Sequence, residues 1–127
     1  MTTENHKESI RKWQKTARGI ASRKRAYNVY RIQQRGRLFS ILGGHKCVKC
    51  NFDDFRVLQF DHINGGGRID MKRFGNTHVM VCYYLKHQKE AKEKLQVLCA
   101  NCNWIKRCDN NEHKQNYAKK VQGDIFA

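Results

Sequence analysis

Four of the six cysteines form two CxxC pairs, Cys47-Val-Lys-Cys50 and Cys99-Ala-Asn-Cys102. Two residues between thiols let a tight turn aim both sulfurs at one ion, and two such knuckles complete the tetrahedral thiolate shell that zinc prefers. A shell filled by sulfur leaves no position for a substrate, so a zinc held there is expected to be structural. Two redox CxxC motifs, or chance pairs, are the competing readings. Cys82 and Cys108 fall outside this spacing and read as a small apolar residue and a thiol beyond the shell. Simple zinc ribbons separate their pairs by ~15–20 residues. Here 48 residues intervene, enough for a second functional unit between the knuckles.

Asp61-His62 lies inside that interval, and Asn103 follows the last cysteine directly. Hydrolysis of a phosphodiester needs a water activated near neutral pH, a cation to take up charge on phosphate, and groups that orient both. Histidine suits the first task because its unperturbed pKa lies near 6.5. Carboxylate and amide oxygens suit a hard cation such as Mg²⁺, which avoids thiolate. Singly these signals are weak: an Asp-His pair is most often surface decoration, and an Asn beside a cysteine is most often a helix cap. Adjacent strand residues project to opposite faces, so Asp61 and His62 act together only if the strand ends there. The glycines after them favour such an end.

The elements that must position these residues are legible in outline. Arg56-Val-Leu-Gln-Phe60 alternates like a half-buried strand, and Asn64-Gly-Gly-Gly67 reads as a flexible loop. Residues 79–93 favour one helix, Leu95-Gln-Val-Leu98 leads into the second knuckle, and Asn103 to Arg107 reads as helix. Upstream, Ile10, Trp13, Ala17 and Ile20 recur at helical spacing, with Gly19 a slight weakness. A second helix is expected from about Arg23 to Leu42, with Leu38, Ile41 and Leu42 on one face and Gly43-Gly44 as its stop. The domain organisation read from this is a basic, mostly helical segment over 1–41, a knuckle-bearing domain over 42–108, and a polar tail over 109–127.

The chain has 127 residues with 26 Lys+Arg against 11 Asp+Glu, a formal net charge of +15. Residues 1–40 alone hold 11 Lys/Arg and 2 Glu. Such a balance points to a polyanionic partner, nucleic acid ahead of a membrane surface. Basic residues interleaved with Trp13, Tyr27 and Tyr30 suit a phosphate-tracking arm. The residues expected to grip phosphate are Arg11, Lys15, Arg23, Lys24, Arg25, Arg31 and Arg35, joined by Lys106 and Arg107 near the second knuckle. No apolar run approaches the roughly 20 residues of a membrane-spanning helix, and MTTENHKESIRKW carries no signal-like apolar segment. A cytoplasmic location, where thiols stay reduced, is the expectation.

Leu42-Gly-Gly-His-Lys-Cys-Val-Lys-Cys50, then Leu58-Gln-Phe-Asp-His-Ile-Asn-Gly-Gly-Gly67, then Leu95-Gln-Val-Leu-Cys-Ala-Asn-Cys-Asn103 with Lys106, resembles the zinc-bearing HNH endonucleases. These belong to the ββα-metal, or His-Me finger, group common in phages and other mobile elements. The resemblance covers about residues 42–107. It implies an α+β fold, a small ββα-metal domain stapled by a four-cysteine zinc and preceded by a basic helical segment. It further implies a DNA endonuclease with His62 as general base and with Asp61 and Asn103 holding a catalytic Mg²⁺ or Mn²⁺. Products would carry 5′-phosphate and 3′-hydroxyl ends. Many members place a base-orienting asparagine shortly before the second knuckle, where this chain has Lys94; junction-resolving relatives also lack it. The last motif residue, often histidine, is here Asn103. Asn64 is an accessory candidate for contacting phosphate, against a simple turn role.

A noncatalytic zinc module binding DNA or RNA fits the composition equally well. The Asp61-His62 and Asn103 set favours the nuclease, because a pure binding module has no need of it. Cutting both strands with one site per chain would call for a homodimer.

Overall fold

The structure, a computed structural model, describes residues 3–110, so all but the start of the expected tail lies outside the described residues. Among them it is a small α+β fold of six α-helices and one two-stranded antiparallel sheet. Helix α1 spans Glu4–Gln14 and α2 spans Ala17–Ile41. A 3₁₀ turn at Phe55–Val57 leads into β1, Leu58–His62. Three helices follow, α3 over Gly67–Phe74, α4 over Thr77–Lys86 and α5 over Gln88–Lys94. Strand β2 (Leu95–Cys99) then runs directly into α6 (Ala100–Asp109). The sheet and α6 form a ββα unit, with α3 to α5 inserted between its strands.

The helical periodicity across Ile10 to Ile20 is broken in the structure. Thr16 caps α2 by accepting from Gly19 N at 3.1 Å while donating its hydroxyl to Trp13 O at 2.6 Å. The chain turns so tightly that a Cβ on Gly19 would sit 2.1 Å from Trp13 O, so this glycine makes the corner between two helices. The supposed apolar face is not buried either: Ile10, Trp13 and Ile20 are all exposed. The single helix expected over 79–93 is likewise two, separated at His87, whose backbone leaves the helical region. The strand lies two residues later than its alternation suggested and includes Asp61 and His62.

Two adjoining clusters make the core. One gathers Leu38, Met80, Val81, Tyr84, Ala91 and Leu95. The other gathers Phe39, Cys47, Leu58, Val97, Leu98 and Cys99, and Leu42 and Phe60 pack against both. The consecutive Leu38 and Phe39 of α2 each enter one cluster, so the end of this helix is part of the knuckle-bearing unit and the division at residue 41 does not separate two cores. Phe39 stacks on Phe60 with centroids 4.4 Å apart, which carries the core up to the strand that bears Asp61 and His62. No helix among the described residues is long and apolar enough to cross a membrane.

Candidate functional site

The four CxxC cysteines converge. Their sulfurs all lie within 4.8 Å of one another, with Cys50 Sγ and Cys99 Sγ at 3.7 Å. Four thiolates around a zinc at about 2.3 Å would be spaced by about 3.8 Å, close to the Cys50–Cys99 separation, so the cluster could hold such an ion. Each knuckle is shaped by its backbone. Asn51, with φ at 63°, closes the first turn, and Val48 N donates to Val97 O at 2.9 Å to tie that turn to β2. In the second, Cys102 N donates to Cys99 Sγ, so the cysteine that ends β2 also caps α6. Burial raises the Cys47 thiol, but backbone N–H groups of Cys99, Cys50 and Lys49 outweigh it and bring it down to about 6. Neighbouring Cys99, with burial, pushes the Cys102 thiol up to about 12. Crowded thiols that favour one thiolate and resist a second are a donor set that a divalent cation completes.

Because α6 begins at the second knuckle, Asn103 falls in its first turn and Lys106 and Arg107 one turn on. The antiparallel register sets Asp61 opposite Gln96 and His62 opposite Leu95. Phe60, Asp61, His62, Gly65 to Gly67, Arg68, Ile69, Asn103 and Arg107 surround one open concavity of about 540 Å³. The structure thus brings Asp61, His62 and Asn103 to one surface recess. The Asn103 amide donates to Gln59 Oε1 at 2.6 Å, which leaves its own oxygen unengaged by that bond. Asp61, almost fully buried, accepts from Gln96 Nε2 at 2.8 Å and from Lys106 Nζ at 3.2 Å.

Two of the expected phosphate contacts are corrected by this geometry. Lys106 is buried, pairs with Asp61 and donates to His62 O at 2.9 Å, so its ammonium positions the end of β1. Arg35 is half-buried between Phe39 and Phe60 and donates to Leu58 O. Burial, helped by the nearby Arg31 charge, lowers its pKa. Arg23 donates to Gln14 O at the α1–α2 corner, and Arg31 lies over the Tyr27 ring. Arg11, Lys15, Lys24 and Arg25 are exposed on the helical arm. Arg107 lies over the Trp104 ring at the edge of the concavity.

His62 has a partner that the sequence reading missed. Its Nε2 lies 2.6 Å from Asp70 Oδ2, and the buried Tyr84 hydroxyl donates to the same oxygen. Asp70 reaches it because Gly65 and Gly66, with φ of 77° and 95°, turn the chain back and start α3 at Gly67. The glycine run is therefore a defined reversal into a helix. A Cβ on Gly67 would stand 3.3 Å from His62 Nδ1, so a side chain there would crowd that nitrogen. Asn64 lines an adjoining recess with Asp70 and Lys94. Only the glycine turn and the acidic residue in the following helix offered a signal for Asp70. Gln59, Arg68 and Gln96 offered none before the strand register was known.

Compared with protein-family models, curated proteins and solved structures, the chain matches none.

Proposed function

We propose that this chain is a metal-dependent DNA endonuclease of the HNH type. The observation that carries the reading is the convergence of Asp61, His62 and Asn103 on one open recess beside the four-cysteine cluster. Zinc in the cluster would fix where α6 starts, and with it where Asn103 stands relative to β1. Asp61 and the Asn103 oxygen are the residues that would hold Mg²⁺ or Mn²⁺, an oxygen set of the kind such ions complete with water and phosphate. The ion would offset charge on the scissile phosphate and the leaving 3′ oxygen.

The remaining steps belong to the chain itself. Lys106 and Gln96 hold the Asp61 carboxylate in place. His62 accepts the proton of the attacking water. Arg107 and Arg68, at the rim of the recess, meet flanking phosphates. The basic face of α1 and α2 grips the backbone, which gives affinity without sequence preference.

The test is incubation of the pure protein with supercoiled plasmid, with Mg²⁺, with EDTA, and as the His62→Ala variant. Open-circle or linear product is expected only with metal and His62, and the substitution should slow cleavage by about 10²–10⁴-fold with zinc content and plasmid binding retained. Cleavage by His62→Ala at the parent rate would sink the assignment. Plasmid bound but intact under every divalent metal, including one carrying the native host sequence, would indicate the noncatalytic module.

A further inference from the structure

We propose that Asp70, braced by Tyr84, is the positioning residue of the site: it fixes the imidazole of His62 so that Nδ1 faces the attacking water. The inference rests on the nuclease reading only for what His62 does with that nitrogen.

A carboxylate can only accept hydrogen bonds. Burial opposes ionisation of Asp70, but the hydrogen bonds from Tyr84 and His62 prevail and hold its carboxyl below the usual aspartate range. With Oδ2 accepting from Tyr84, the short contact to His62 Nε2 requires the proton to sit on Nε2. A neutral ring then carries its lone pair on Nδ1, beside Gly67, where a Cβ would stand 3.3 Å away, and both His62 and Gly67 line the recess. A buried carboxylate orients a catalytic histidine in the same way elsewhere.

Three features indicate a built arrangement. Both partners are nearly enclosed, with side-chain exposures of 13% for His62 and 9% for Asp70. Tyr84 is fully buried in the core cluster, so the brace is anchored in the core. The turn through Gly65 and Gly66 brings α3 back to the strand end it left. This gives a role to the chain between the knuckles. The helices α3 and α4 supply an acid for the histidine, while the position expected to provide an orienting amide holds Lys94, whose ammonium is paired with Glu90.

The test uses the full-length zinc-loaded protein and reads two quantities. Nitrogen-15 spectra of the His62 ring, recorded without DNA at about pH 8 where an ordinary imidazole is neutral, give the tautomer; plasmid cleavage with Mg²⁺ gives the rate. The parent should hold Nε2–H. Asp70→Leu should mix the tautomers and slow cleavage by about 10²-fold at unchanged plasmid affinity. Asp70→Asn, which retains an oxygen acceptor, should keep the tautomer and recover cleavage to within about tenfold of the parent. Asp70→Leu with the parent tautomer and the parent rate overturns the proposal. Should Asp70→Leu not fold, Tyr84→Phe removes one hydroxyl from the same carboxylate; a mixed tautomer and slower cleavage support the proposal, and parent values for both overturn it. A parent protein that leaves plasmid intact defeats the nuclease reading alone, and the ring spectrum still decides whether Asp70 orients His62.

Discussion

The helical arm and the ββα unit are built on opposite principles. In the arm, from residue 3 to residue 33, Gly19 is the one buried residue, and Trp13, Ile20, Tyr27, Val29 and Ile32 stand about half exposed. In the ββα unit Leu58, Val97 and Leu98 are fully buried, and two strands of five residues each suffice because helices and thiols close around them. In this helix of 25 residues the buried side chains lie almost wholly in the last two turns, Tyr27 and Tyr30 at its middle meet the His78 ring of α4 edge-on, and the turns before them are the exposed part. Under the proposed reading the difference separates two tasks: the ββα unit fixes the recess, and the arm offers exposed charge to the nucleic-acid backbone.

The comparison breaks first if the cysteine cluster is dispensable. Cys99 ends β2, caps α6, lies in the core and contributes one of the four sulfurs. Structural zinc contributes roughly 10–16 kcal/mol in small domains, as much as the whole stability of a typical fold at about 5–15 kcal/mol. Cys99→Ser should therefore abolish cooperative melting of the ββα unit and lower bound zinc below one per chain. A normal melting profile in this variant, followed by calorimetry and metal analysis, would show that the apolar core alone holds the recess.

A smaller effect sharpens the contrast within one helix. Phe39 is fully buried between Phe60, Phe55 and His45, and Ile32, two turns earlier in α2, is 55% exposed. Phe39→Ala should cost about 3–5 kcal/mol from lost burial and the cavity left behind. Ile32→Ala should stay within about 0.5 kcal/mol. Denaturant unfolding of the two variants measures both. Similar losses would mean that Ile32 is covered by something the isolated chain does not present.

The same contrast explains what was legible in the sequence. The CxxC pairs were readable because metal geometry imposes a spacing local to the chain, whereas Asp61, His62 and Asn103, weak signals singly, were grouped by their resemblance to a family motif, and the fold sets them around one recess. Asp70 was not readable, because it meets His62 only after two left-handed glycines reverse the chain. Gln96 depends on a strand register that no local pattern specifies. Lys106 and Arg35 had the right charge for a phosphate grip, but their use is decided by what packs against them. In the arm, the apolar repeat suggested one continuous face, and the Thr16 cap and the close approach at Gly19 that break it appear only in the fold. Local chemistry was legible, and chemistry assembled across the fold was not.

The smallest expected change in stability accompanies a large change in binding. Lys24 and Arg25 are exposed on α2, away from the core contacts of that helix. Each phosphate contact contributes about 0.9 to the slope of log affinity against log salt. Lys24→Gln with Arg25→Gln should reduce that slope by close to two such contacts and weaken plasmid binding most at low salt, where screening is least. Melting should shift by no more than about 0.5 kcal/mol per site, as for other exposed positions. Fluorescence titrations across a salt series, paired with melting curves, read both quantities. Lost affinity with unchanged melting assigns the arm to binding alone. Unchanged affinity would move the phosphate grip to Arg68 and Arg107 at the recess, and the exposed apolar residues of the arm would then have to serve a partner other than DNA.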